Sequence, residues 1–305
     1  MQNRVYIKIK NMESIKSILI SMRPRQWTKN VLIFAALVFS GHLRYFHDIL
    51  FALAGFGLFC LVSGCVYIFN DVLDIKYDIV HPDKKNRPIP SGKLSKEAGL
   101  LISFSGCAIG ILLSFSIDYH FGLVIAAYFV LQILYTVVLK RMVLLDVFSI
   151  ALGFVIRAVA GAYIIHVEIS PWLLICTLLL SLFLALCKRR HELAFRETGI
   201  NSRSVLDSYS LEMIDQMINI VGSGTVISYA LYTMWESTIK KFGTNKLIFT
   251  VPFVLFGIFR YLYIVHKKKE GGSPERILLT DVPLIINIIL YAIAASAIIY
   301  ITGKI

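Results

Sequence analysis

Asp71, Asp74 and Asp78 fall at i, i+3 and i+7, so a helix running on through them presents three carboxylates on one face, with Asn70 one turn ahead of Asp74. Such a row suits Mg²⁺, an ion usually held by one or two carboxylates together with substrate phosphates and retained water. Lys84, Lys85 and Arg87 follow in the same polar stretch and supply cations able to clamp phosphate oxygens beside the metal. A solvated helix end followed by a charged loop is the plainer reading of the run.

Two further clusters interrupt apolar surroundings. Asp146, Gly153 and Arg157 share a helix face at i, i+7 and i+11. An intramembrane Arg is a functional-site candidate by default, although pairing with a buried carboxylate or helix-end carbonyls gives it a structural role instead. The small residues Ala158, Ala160, Gly161 and Ala162 read as close helix packing. Lys188, Arg189, Arg190, His191 and Glu192 close another apolar segment, where several donors within one turn either converge on a phosphate or anchor the segment at the membrane surface. His191 has no second His at i+3 or i+4 and is a weak metal ligand. Gly271-Gly272-Ser273-Pro274-Glu275 is a glycine-rich stretch of the kind that closes over sites. No nucleophile triad, zinc motif or dinucleotide fingerprint occurs, so the substrate must supply its own nucleophile, and the protein the metal, cations and apolar groove.

The elements that position these residues are set by composition. With 57% hydrophobic and 16% charged residues over 305 positions, and a mean hydropathy of +0.73, the chain is an all-α polytopic membrane protein and not a soluble globular one. Apolar segments predict nine transmembrane helices, at about 28–43, 49–70, 98–117, 120–140, 143–166, 171–189, 214–235, 246–265 and 281–302. They form one integral membrane domain over 1–305, because no long polar linker divides them. Residues 1–27 are expected to be a cytoplasmic and interfacial segment without a cleavable signal, and 70–97 and 188–212 to be cytosolic active-site loops. The cysteines Cys60, Cys65, Cys107, Cys176 and Cys187 lie mostly in apolar runs and read as packing residues.

On this count the Lys and Arg residues crowd one side of the membrane. Only Arg44, Lys240, Lys241, Lys246 and Lys304 fall on the other side, while Arg157 and Arg260 lie within spans. The N-terminus is therefore expected in the cytoplasm of a cell-membrane protein and the C-terminus outside. The net charge of +12 is a topology signal and an attractor of membrane lipids and phosphates, with no nucleic-acid partner expected.

The motif N-D-x-x-D-x-x-x-D from Asn70 to Asp78, followed by Asn86-Arg87-Pro88-Ile89-Pro90-Ser91-Gly92, resembles the first Asp-rich motif and its following loop in the UbiA superfamily of intramembrane prenyltransferases. Tyr135-x-x-x-x-Lys140-Arg141 is similar to that superfamily's fourth-helix motif. Prenyl-diphosphate-using members carry a second Asp-rich motif where this chain has Lys188 to Glu192. That departure, with the Arg23 to Asn30 segment and Gly153 to Gly161, is similar to the decaprenyl-phosphate phosphoribosyltransferase branch.

The resemblance implies a UbiA-like bundle around a central cavity open to the cytoplasm. It also implies Mg²⁺-dependent transfer of 5-phosphoribose from phosphoribosyl pyrophosphate to a polyprenyl phosphate, in lipid-linked precursor synthesis for cell-wall polysaccharide. On that reading Asn70, Asp71, Asp74 and Asp78 hold the metal, and Asp71, Asp74 and Lys140 are catalytic. Lys85, Arg87 and Lys140 take pyrophosphate oxygens, Tyr135 orients the sugar, and Lys29, Lys188 and Arg189, with Glu192 beside them, hold the lipid phosphate. Arg157 contacts a substrate phosphate or buttresses Asp146. The alternatives are prenyl transfer to an aromatic or lipid acceptor, and a non-enzymatic lipid-binding protein. Oligomeric state stays open.

Overall fold

The computed structural model describes residues 15–80, 82, 84–195, 204–268 and 271–302. Residues 1–14 of the expected N-terminal segment and 196–203 of the expected second cytosolic loop lie outside them. Among the described residues all regular structure is helical. The principal helices are α1 (Phe46–Leu73), α2 (Lys96–Ile117), α3 (Tyr119–Val137), α4 (Leu145–Ile164), α5 (Pro171–Ala194), α6 (Leu211–Met234), α7 (Val251–Tyr263) and α8 (Val282–Ala297).

Their starts are written in the sequence. Ser95, Asp118, Ser210 and Asp281 each accept a backbone N–H from the first turn of the helix they precede, at 3.2, 2.7, 3.1 and 3.2 Å. A helix N-terminus leaves donors unpaired, and short polar side chains are the residues that satisfy them.

Against nine expected spans, α1 to α5 and the run Lys246–Lys268 around α7 are long and apolar enough to cross a membrane, six in all among the described residues. A seventh arises if Pro274–Thr280 and α8, bent by 78° at Asp281, count as one. Two expected spans differ for visible reasons. Residues 28–43 do not form one helix, because a 3-10 stretch, Pro24–Ile33, gives way to the short helix Phe34–Phe39. The length of α6 suffices, but Asp215, Gln216, Asn219, Ser223 and Thr225 dilute its apolarity.

The chain divides into two compact units, Met1–Leu139 with Ile156–Glu168, and Lys140–Val155 with Ile169–Ile305. In the first, α1 and α2 pack at small residues: a Cβ on Gly106 would lie 2.4 Å from Cys65 Sγ, and Ser103 Oγ donates to the Cys65 carbonyl at 2.8 Å. The cysteines are unbridged and all but Cys176 are buried, as their packing role requires. Gly161 permits a closer approach, since a Cβ there would stand 2.0 Å from the Ile33 carbonyl oxygen. The 3-10 stretch thus lies directly on the last turns of α4, which is the close packing expected of that small-residue run. Ile89 and Leu94 bury against Ile68 and pin the 86–92 loop under the end of α1.

In the second unit, Phe183 and Leu186 of α5, Ile214 and Ile218 of α6, and Ile258 and Tyr261 of α7 form one core. The intramembrane Arg260 is matched there by a two-pronged pair with Asp281, both contacts at 2.9 Å.

Candidate active site

The first unit gathers the Asp-rich motif around two guanidinium groups. Asp71 is 1% exposed, and its Oδ1 accepts from both Arg23 Nη2 and Arg87 Nη1, the latter at 2.9 Å. The same Arg87 nitrogen reaches Asp78 Oδ2 at 2.8 Å, and Lys84 Nζ lies 3.6 Å from Asp78 Oδ1. Asp71 and Asp78 are therefore brought together as the spacing predicts.

They do not, however, stand on one continuous helix with Asp74. The helix α1 ends at Leu73, Asp74 adopts φ −90 and ψ 8 at the break, and a four-residue helix, Ile75–Asp78, follows. The physical reason is the cluster itself: one Arg87 nitrogen serving Asp71 and Asp78 draws the following turn in toward the end of α1. Asn70 and Asp74 are half-buried beside it, and Lys85 is exposed. Arg87, expected on substrate phosphate, is engaged by the two carboxylates. Lys29 and Tyr135 are half-buried in this unit.

Sequence reasoning missed Arg23 as a site residue. It is 48 positions from Asp71, and its guanidinium also lies over the Tyr67 ring, 4.9 Å from the centroid. Its backbone is set apart as well: Arg23 stands at φ 53 in the left-handed region, where a residue before proline is ordinarily extended.

Arg157 is buried in the same unit. Its Nε donates to Asn30 Oδ1 at 2.7 Å, its Nη2 to the Tyr128 hydroxyl at 2.8 Å, and it sits over the Tyr128 ring. Asn30 in turn donates to Ser63 Oγ and Cys60 Sγ.

In the second unit the basic run meets carboxylates. Arg189, 1% exposed, donates from Nε to Asp146 at 2.6 Å and from Nη1 to Glu192. Arg190 pairs with Asp215, which also meets His266 at 3.3 Å. A buried guanidinium in a low-dielectric interior must be matched by carboxylates, and Asp146 and Glu192 match Arg189. Tyr209, also missed, donates its hydroxyl to Asp146 at 2.8 Å and accepts the Leu144 N–H at 2.7 Å. Burial pushes its phenol up to about 12, so it stays a donor at neutral pH. Lys140 and Lys188 are half-buried, and His191 Nδ1 accepts the Gly271 N–H at 3.1 Å.

No group of three or more His, Cys, Asp or Glu side chains able to hold a metal occurs among the described residues. What the first unit offers a cation is Asp71 Oδ2, a buried carboxylate oxygen without a hydrogen-bond partner, with Asp78 close by. That is a partial ligand set, of the kind an Mg²⁺ shared with substrate phosphates needs.

Multiple apolar helices, with a buried acidic cluster held by guanidinium groups in the first unit, define a multi-pass membrane protein. The chain belongs to the UbiA prenyltransferase family, whose family model matches residues 30–280. It is 32% identical to a decaprenyl-phosphate phosphoribosyltransferase of Corynebacterium glutamicum, over 86% of this chain and 80% of that one. It is 29% identical to the protein of the same name from Mycolicibacterium smegmatis, over 88% of this chain and 87% of that one. Among solved structures, a UbiA homolog from Archaeoglobus fulgidus bound to GPP and Mg²⁺ shares the fold with a TM-score of 0.70 and 18% identity, over 93% of this chain and 99% of that one.

Proposed function

We propose that this chain transfers 5-phosphoribose from phosphoribosyl pyrophosphate to a polyprenyl phosphate and releases pyrophosphate. The observation that carries the reading is the likeness, along more than four-fifths of the chain, to relatives named for that transfer.

Asp71, through its unpartnered Oδ2, and Asp78, with Asn70 and Asp74 beside them, are the residues that hold the metal. Bound there, Mg²⁺ supplies neutralisation of the negative charge that collects on the departing pyrophosphate. Arg87 and Lys84 lie against these carboxylates and are placed to exchange contacts with phosphate oxygens, with Lys85 and Lys140 as further cations. Tyr135 is assigned to the sugar, and Lys29 and Lys188 to the lipid phosphate.

An oxygen of the polyprenyl phosphate forms a bond to ribose C1 as the bond from C1 to pyrophosphate breaks. The electron pair leaves with pyrophosphate, and the configuration at C1 inverts. No side chain has to remove a proton, because the attacking phosphate is already ionised at neutral pH. Arg157, held by Asn30 and Tyr128, is assigned to keeping the 24–33 segment in place. The N-terminus and the acidic cluster are assigned to the cytoplasmic side of the cell membrane, where the Lys and Arg residues crowd.

A second reading, prenyl transfer from a prenyl diphosphate, is favoured by family membership and by the ligand of the structural neighbour. One experiment separates the two. Purified protein in detergent with Mg²⁺, a polyprenyl phosphate and ribose-labelled phosphoribosyl pyrophosphate is expected to move label into the organic phase. Chelation by EDTA, and Asp71→Asn, each lower that transfer by about two orders of magnitude or more. Consumption of a prenyl diphosphate with no ribose transfer establishes the second reading instead.

A further inference from the structure

The ion pair between Arg23 and Asp71 is incomplete in a way that a structural pair has no reason to be. Oδ1 of Asp71 carries two guanidinium donors, Arg23 Nη2 and Arg87 Nη1, while Oδ2 of the same carboxylate is buried with no partner. On the other side of the contact, Arg23 Nε is likewise buried without a partner. Buried polar atoms are nearly always satisfied, and a purely structural pair gains most when every lone pair and proton is used. Here one unused acceptor and one unused donor belong to the two partners of a single contact.

Two guanidinium groups on one oxygen also repel each other, an arrangement that an arriving anion relieves and a neutral ligand does not. The arm that brings Arg23 in is held for the purpose. The residue sits at φ 53, a backbone region that L-residues other than glycine rarely adopt. Pro24 fixes the chain direction after it, and Tyr67 cushions the guanidinium 4.9 Å from its ring centroid.

We propose that Arg23 is a substrate-binding residue: its guanidinium hands part of its hold on Asp71 to a divalent cation at Oδ2 and takes a pyrophosphate oxygen in return through Nε and Nη2. The planar fork of arginine suits a phosphate in this way, whereas lysine offers a point charge only. The chemistry recognised is a metal-bound pyrophosphate group, which phosphoribosyl pyrophosphate and a prenyl diphosphate share. The inference deepens the proposed function by adding a residue of the N-terminal segment to its pyrophosphate subsite, and it rests on that reading only for the identity of the sugar.

The test uses inorganic pyrophosphate and Mg²⁺ as the probe on the full-length protein in detergent, with affinity read by titration calorimetry. Trp27 gives a second readout. Its Nε1 donates to the Met22 carbonyl at 3.2 Å, one residue ahead of Arg23, so its emission reports the arm once Trp172 and Trp235, the other two of the three tryptophans, are replaced by Phe. The parent is expected to bind Mg²⁺-pyrophosphate with a change in Trp27 emission. Arg23→Gln is expected to weaken that binding about tenfold or more, and Arg23→Lys, which keeps a charge on Asp71 but loses the fork, by an intermediate factor.

Parental affinity in Arg23→Gln overturns the proposal, as does a parent that binds no Mg²⁺-pyrophosphate. If Arg23→Gln fails to fold, Arg23→Lys decides, and parental affinity there overturns it equally. A parent that binds pyrophosphate through Arg23 but moves no ribose leaves this inference standing and removes the proposed sugar donor.

Discussion

Asp146 has no solvent exposure and holds both Arg189 and Tyr209, so removing either partner strands a charge or a lone pair in a dry interior. Arg189→Met is expected to destabilise the protein by about 3–5 kcal/mol, because it leaves Asp146 uncompensated. Tyr209→Phe removes one donor from Asp146 and one acceptor from the Leu144 N–H, for about 1–3 kcal/mol. Thermal unfolding of the purified variants in detergent reads both. A parental melting temperature in Arg189→Met would mean that the Asp146 pair contributes nothing. Lys188→Gln supplies the contrast: the side chain is half-buried, and its replacement is expected to lower lipid-phosphate use while destabilising the protein less than Arg189→Met does. The two variants are therefore expected to separate a stability effect at Arg189 from an activity effect at Lys188. The nearby Glu192 is legible beside both residues, but the buried carboxylate that also claims Arg189 lies 43 residues away.

The 3-10 stretch Pro24–Ile33 is the element on which the first unit turns, since it carries Arg23 at its entrance to Asp71 and Asn30 in its interior to Arg157. Its seat on α4 is Gly161, where an added Cβ would meet a backbone oxygen and not the movable end of a side chain. Gly161→Ala must therefore push the two backbones apart, at a cost of about 1–3 kcal/mol, and slide Asn30 off Arg157. The expected outcome is a lowered melting temperature together with weakened pyrophosphate binding, and a variant matching the parent in both would show that the seat is not needed. The same element marks the limit of what the sequence discloses. The Asp-rich motif, the helix caps at Ser95 and Asp118, and the packing role of Gly161 are all readable from local spacing and residue type. The break at Asp74 is not, because one Arg87 nitrogen shared between Asp71 and Asp78 overrides the helical register that their spacing suggests. Nor is the failure of 28–43 to form one helix legible. Its hydropathy is that of a span, but Pro24, the left-handed Arg23 and the buried bonds of Asn30 commit it to a tighter path.

The passage of the chain through the membrane turns on the segments that are neither plainly spanning nor plainly not. Among the described residues six runs meet the length and apolarity of a crossing, and the bent pair around Asp281 makes a seventh if it counts as one span. Nine crossings then require α6 and the 24–39 region to cross as well. A crossing by α6 sets Lys240, Lys241 and Lys246, which follow it, against the cytoplasmic excess of Lys and Arg, whereas its 24 residues are long enough to span. The polar residues of α6 do not forbid insertion where they face protein, and Gly222 and Thr225 are buried along it. Single cysteines in a cysteine-free background decide the matter, at exposed Ser208 ahead of α6 and exposed Asn245 beyond it. A membrane-impermeant thiol reagent applied to intact cells is expected to label Asn245→Cys and to spare Ser208→Cys until the membrane is opened. If both are spared, α6 stays on the cytoplasmic side, the crossings number one fewer, and the C-terminus lies in the cytoplasm with the N-terminus. That result would also move Lys240, Lys241 and Lys246 to the cytoplasmic face, where they would join the cations able to draw polyanionic substrates to the membrane surface.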